Sequence, residues 1–147
     1  MQGRSNGMKI IAFDLGESRT GVAVCDSGEL LASPLTVVFE KSPQKRLEKL
    51  AQLAVSQQAE QIVVGLPVNM DGSHGVRAEL CQNTAQQLEE QTGIPTVLWD
   101  ERRTTVAAHE ILNVTDTRGK KRKQTVDAVA AVLILETYLA YRRNHKS

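Results

Sequence analysis

The hydrophobic pattern changes period part-way along the chain, and that change restricts the fold more than any other feature. Met8 to Leu15 (M-K-I-I-A-F-D-L) is a short apolar run bounded by Gly16, the signature of a buried strand. Gly21 to Cys25 (G-V-A-V-C) is a second strand, joined to the first by a short polar stretch that fits a hairpin. Leu30 to Phe39 is a third, with Pro34 marking an edge, a bulge or a break. After Pro43 the period becomes helical: Leu47, Leu50, Ala51 and Ala54 recur at three- and four-residue steps, and Ser42 with Pro43 supplies an N-cap and first helical position. Gln61 to Gly65 is a fourth strand, Leu66 to Gly75 a loop, and Val76 to Thr92 a helix stopped by Gly93 and Pro95. Thr96 to Asp100 (T-V-L-W-D) is the fifth strand. Thr104 to Leu112 has helical character, Asn113 to Gln124 is a polar, basic loop, and Val126 to Tyr141 is a helix apolar nearly all round, so mostly buried.

An antiparallel meander followed by two strands reached through crossover helices gives an α/β fold: a mixed five-stranded sheet flanked by helices. The expected strand order is 3-2-1-4-5, with strand 2 antiparallel and strand 1 central. A length of 147 residues, 41% hydrophobic and 24% charged, fits one domain with its own core and excludes disorder as the main state. The expected limits are an N-terminal extension over 1–7, flexible and polar, a single domain over 8–141 and a polar tail over 142–147. Cys25 and Cys81 are too few for a disulfide framework and lack metal-binding spacing. No apolar run reaches the roughly 18 to 20 residues of a membrane span, and Met1 to Gly7 is polar with no signal-peptide core behind it. A cytoplasmic protein with no membrane partner is expected.

Acids that end apolar strands carry the chemistry, because ligands of α/β sheets collect outside the carboxyl ends of parallel strands. Asp14 closes I-I-A-F, and the pair Asp100-Glu101 closes T-V-L-W. Asp127 stands in what the pattern makes the first turn of the final helix. Each is a charge on a buried element, costly unless paired or bound to a cation. Acids converging from three elements need a divalent ion, and hard oxygen donors select Mg2+ or Mn2+ over zinc. Simpler readings stand beside this: Asp127 as a partner of the helix dipole, Asp100 or Glu101 as a cap. Asp14 is harder to explain away, since aspartate is disfavoured in strands.

Net charge is +1, yet residues 1–100 carry 8 basic and 12 acidic side chains while residues 101–147 carry 10 and 5. Any contact with a polyanion is therefore local. Arg118-Gly119-Lys120-Lys121-Arg122-Lys123 has five cations in six residues just ahead of Asp127. Such a run is either a solvated surface or a sequence-independent grip on phosphodiester backbone. The loop Asp14 to Gly21 lacks a P-loop lysine and leads into a strand, so it is no Walker motif; Arg19 in it is a phosphate contact or simply exposed. Asp71-Gly72 is a turn former, and His74 is more simply a solvent-facing histidine than a proton donor. Trp99 reads as core, and aromatics at 3% give no base-stacking platform.

Four blocks resemble a known family: Asp14-x-Gly16-x-x-Arg19-x-Gly21, Val64-Gly65-Leu66-Pro67-Val68-Asn69-Met70-Asp71-Gly72, Asp100-Glu101-Arg102-Arg103-Thr104-Thr105, and Val126-Asp127 before Ala130-Ala131. The chain is similar, from Met8 to Tyr141, to the bacterial pre-16S ribosomal RNA nucleases, also described as Holliday-junction-resolvase-like, with a ribonuclease H-like fold. The resemblance implies that Asp14, Glu101 and Asp127 are metal-binding catalytic acids, with Arg102 and the basic loop nearby. It implies Mg2+- or Mn2+-dependent cleavage of structured RNA, forming the 5′ end of 16S rRNA from its precursor in a pre-ribosomal particle, by a monomer or homodimer. Two positions depart from the pattern. Thr125 stands where family members often carry lysine before the Val-Asp pair, and Ala130 stands where junction resolvases present a fourth acid.

Two enzyme readings and one binding reading compete. A Holliday junction resolvase would turn the same acids on branched DNA. A non-catalytic RNA- or ribosome-binding factor would keep the scaffold without metal-dependent activity. The opening D-x-G hairpin also occurs in actin-like ATP-binding folds, but these enclose nucleotide between two domains and this length holds one.

Overall fold

A computed structural model of the chain describes residues 8–26, 31–68, 71–101 and 119–144, with side chains of the last segment described from Val129 to Arg143. Among the described residues, five strands and three helices follow in the order β1 (Ile10–Leu15), β2 (Arg19–Cys25), β3 (Ala32–Phe39), α1 (Pro43–Ser56), β4 (Gln61–Leu66), α2 (Val76–Thr92), β5 (Thr96–Asp100) and α3 (Gly119–Asn144). They build one mixed sheet of order β3-β2-β1-β4-β5. β2 runs antiparallel to β1 and β3, while β4 and β5 add in parallel. This is the expected topology.

Local chemistry accounts for the element ends. The Ser42 hydroxyl accepts the Lys45 amide at 3.4 Å and Pro43 sits in the first turn, starting α1. Gly93, at φ 74°, closes α2 in the left-handed conformation that lets its amide reach the Glu89 carbonyl. On β3, Val22 pairs with Thr36 and Ala23 with Pro34, so the register slips at Leu35. Proline is thus accommodated on an edge strand at a bulge, where its missing N–H leaves no ladder bond unmade.

Period-two side chains give the sheet two dry faces. Ile11, Phe13, Leu15, Ile62 and Val64 pack under α1 and α2, against Leu50, Ala54, Cys81 and Leu88. Ile10, Ala12, Ala23, Val63 and Trp99 pack under α3, against Ala131, Ile134, Leu135, Tyr138 and Leu139. Two polar contacts fix α3 on this second face. The Trp99 indole donates to the Thr137 hydroxyl at 2.8 Å, and the Tyr138 hydroxyl bonds the Gln61 side-chain carbonyl at 2.9 Å. Trp99 also meets the Tyr138 ring edge-on. Trp99 is core, as its place in a strand indicated.

The last helix departs most from expectation, and β2 begins at Arg19, which the sequence put in the preceding loop. The basic residues Lys120 to Lys123 lie within α3, not in a loop ahead of it, because α3 begins at Gly119. Lysine, arginine and glutamine are good helix formers, and no proline or further glycine interrupts the run before the apolar stretch. Asp127 is consequently the ninth helical residue and not part of the first turn. α3 also continues to Asn144, three residues past the expected end. The extension 1–7, the helix expected over Thr104 to Leu112, and Arg118 lie outside the described residues. Among the described residues, no helix is long and apolar enough to cross a membrane.

Candidate active site

The carboxyl ends of β1, β4 and β5 lie side by side, and two of the acids come from them. Phe13 is registered opposite Val64, so Asp14 comes level with Gly65 on β4. Gly65 in turn pairs with Trp99 on β5, one residue short of the Asp100-Glu101 end. Side chains alternate, so Asp14 and Gly65 share the face of Ala12, Val63 and Trp99, the face covered by α3. Glu101 turns back across β4 on this side. A β-carbon built on Gly65 would stand 2.7 Å from Glu101 Oε2, 3.1 Å from its Cγ and 2.6 Å from Ile134 Cδ1. The bare backbone at Gly65 is therefore the space that the Glu101 carboxylate occupies, one strand away from Asp14.

The turn after Asp14 is held rigidly. Gly16 donates its amide to the Arg19 carbonyl at 2.8 Å, and a β-carbon on Gly16 would lie 2.5 Å from that oxygen. Only glycine closes this turn without moving backbone. Two arginines from the helices bind the carbonyls that the turn exposes. Arg46 of α1, 3% exposed, donates from Nη1 to Gly16 O at 2.8 Å and to Glu17 O at 3.0 Å. Arg77 of α2 donates from Nη2 to Leu15 O at 2.7 Å. Asp14, Gly16, Arg19, Gly21 and Arg77 line, with the intervening turn, a polar cavity of about 330 Å3. Neither Arg46 nor Arg77 was singled out from sequence. Arg46 left a trace, standing four residues before Leu50 and eight before Ala54 on the buried row of α1.

Electrostatics distinguishes the acids. Burial pushes the Glu101 carboxyl above the ordinary carboxylate range; the Arg77 guanidinium opposes this and Asp100 adds to it. Asp14 is half-buried at the cavity wall. Two hard carboxylates, one resisting ionisation through burial, fit a divalent cation, whose charge would offset the cost of ionising Glu101. Among the described residues no group of three or more histidine, cysteine or acidic side chains is assembled as a metal site. The described part of the site is the pair Asp14 and Glu101. Cys81, beneath them on α2, is not a candidate nucleophile: burial pushes its thiol up to about 11, with Glu101 contributing further.

The remaining sequence candidates fall into two groups. Arg19 lines the cavity. Asp127 lies in α3, seven residues or two turns before Ile134, which touches the Gly65 position. Its side chain, those of Lys120, Lys121, Arg122 and Lys123, and all of Arg102 lie outside the described residues. His74 is exposed and bonded to Gln82 across 3.4 Å. Asp71 accepts both the amide and the hydroxyl of Ser73, and Gly72 has φ 87°, which makes Asp71-Gly72 a turn.

A mixed sheet of this order, with acids at the carboxyl ends of central β1 and edge strand β5 and a long helix across one face, has the ribonuclease H-like fold. The fold matches the RuvC of T. thermophilus solved with a Holliday junction substrate, with a TM-score of 0.62 at 16% identity, covering 94% of this chain and 97% of that one. The family model described as RuvX, Holliday junction resolvase, matches residues 8–141. Proteins named "Putative pre-16S rRNA nuclease" are similar along nearly their whole length. That of Carboxydothermus hydrogenoformans is 41% identical over 135 residues, 92% of this chain and 98% of its own. That of Shouchella clausii is 41% identical over 140 residues, 94% and 98%. The chain belongs to the RuvX family.

Proposed function

We propose that this chain is a metal-dependent endonuclease that hydrolyses phosphodiester bonds of structured RNA and forms the 5′ end of 16S rRNA from its precursor. The observation that carries the reading is the seating of Glu101 over the bare Gly65 backbone, on the same sheet face as Asp14. The names of the curated relatives supply the substrate. Asp14 and Glu101, with Asp127 from α3, would hold the cation, Mg2+ or Mn2+. That ion supplies a lowered pKa for the attacking water and neutralises charge at the reacting phosphate.

The chain's own residues do the rest. Asp14 is held at the cavity wall by a turn that Arg46 and Arg77 clamp through three successive carbonyls. Glu101, raised in pKa by burial, must lose its proton for the cation to bind, which couples loading to pH. Arg19, Arg102 and the cations Lys120 to Lys123 hold the backbone by charge, without reading bases. A second reading, resolution of branched DNA, is favoured by the description of the family itself.

The test is cleavage of a labelled 16S precursor fragment and of a four-way DNA junction, each with Mg2+, Mn2+ or chelator. Cutting of the precursor at one site, abolished by chelator and by Asp14→Asn with the fold retained, is the expected outcome. Preference for the junction transfers the reading to DNA. Chelator-insensitive cutting, or full activity in Asp14→Asn, rejects the metal site.

A further inference from the structure

The two arginines that clamp the β1–β2 turn differ in what remains of them. Arg46 is buried and delivers Nη1 to two carbonyls. Arg77 is exposed and makes one hydrogen bond, Nη2 to Leu15 O, among the described residues. A guanidinium carries five N–H donors in a planar fork, so one bond leaves donors to spare on a side chain that lines the same cavity as Asp14 and Arg19. The carbonyl that anchors it is neutral, and no ion pair of Arg77 within 4 Å is formed among the described residues. An acid-lined site repels the phosphate it must hold, and a fixed planar cation beside the acids removes that repulsion while matching two phosphate oxygens at once.

We propose that Arg77 is a phosphate-binding residue of the site, gripping the sugar-phosphate backbone beside Asp14 while its Nη2 stays anchored on the Leu15 carbonyl. The inference deepens the nuclease reading and rests on it. The ligand chemistry is the phosphodiester, common to RNA and DNA.

The test uses the full chain in chelator, so that binding is read without cleavage, on two fluorescent probes: an RNA stem-loop with a single-stranded 5′ extension and a four-way DNA junction. Arg77→Gln loses the charge and keeps a polar head on a shorter stem; Arg77→Lys keeps the charge. Arg77→Gln should bind about tenfold more weakly, with the slope of log K against log salt shallower by about 0.7 on single strands and 0.9 on duplex. Arg77→Lys should keep the wild-type slope, and both should melt like wild type. An unchanged slope in Arg77→Gln overturns the proposal, as does an equal loss in both variants with a lowered melting temperature, which would make Arg77 a strap for the turn. Wild-type protein that binds neither probe, and cuts neither with Mg2+ or Mn2+, rejects the nuclease reading and this inference with it.

Discussion

At the scale of the residue, the site depends on an atom that is not there. Gly65→Ala puts a methyl carbon within 2.7 Å of Glu101 Oε2 and 2.6 Å of Ile134 Cδ1. Overpacking of this kind costs about 1–3 kcal/mol. The melting temperature should fall and cleavage should be lost. Adding Ile134→Val removes Cδ1 and should recover stability without activity, since the clash with Glu101 persists; recovery of both would show that Gly65 matters only to packing. Glu101 supplies a second, opposite expectation. Its folded pKa lies above the ordinary value of 4.5, so the native state holds the proton more tightly than the unfolded chain. That contribution is intact below the unfolded pKa and is lost as pH rises through the folded one. Glu101→Gln should therefore melt higher than wild type at pH 7.5. The gain should vanish near pH 4 while cleavage is absent at every pH. A variant that melts lower at pH 7.5 would show that the carboxylate is not strained by burial.

At the scale of the element, α3 carries Asp127, the third acid of the proposed site, and Trp99 on β5 fastens the helix. Trp99→Phe keeps most of the apolar contact but leaves the Thr137 hydroxyl without its donor at 2.8 Å. A loss of about 1–2 kcal/mol in urea unfolding is expected, with weaker cleavage because Asp127 rides on the loosened helix. Unchanged stability would make the ring alone responsible for the packing. The elements themselves were legible because each carries its own punctuation: Ser42 and Pro43 at one helix start, Gly93 at one end, Pro34 at the edge-strand bulge. The start of α3 was hidden for the same reason. Lys120 to Lys123 carry no apolar period, and only the helix propensity of lysine and arginine continues α3 back to Gly119. The earlier start also removes the dipole explanation of Asp127, since that effect fades within the first turn.

At the scale of the whole molecule, the sheet order sets Asp14 and the end of β5 on either side of β4; strand count with crossover rules made that order the expectation, and periodicity alone did not fix it. What the sequence did not disclose was contact between distant segments: Arg46 and Arg77 reach β1–β2 carbonyls 29 to 62 residues away, and no local pattern announces such a bond. Gly65 stood in plain view inside a strand, the position where close approach is to be sought, yet its neighbour became visible only in three dimensions. Charge is divided along the same chain, and replacing Lys120, Lys121, Arg122 and Lys123 together by glutamine should weaken RNA binding and flatten its salt dependence; a slope equal to wild type would assign the run to solvent. The account as a whole turns on carboxylates from separate strands sharing one hard ion. Anomalous diffraction from a Mn2+-soaked crystal reads this directly. The expected result is a peak between the carboxyl groups of Asp14 and Glu101, lost in Asp14→Asn. No peak there, in protein that cuts its substrate in the same Mn2+ solution, would contradict it.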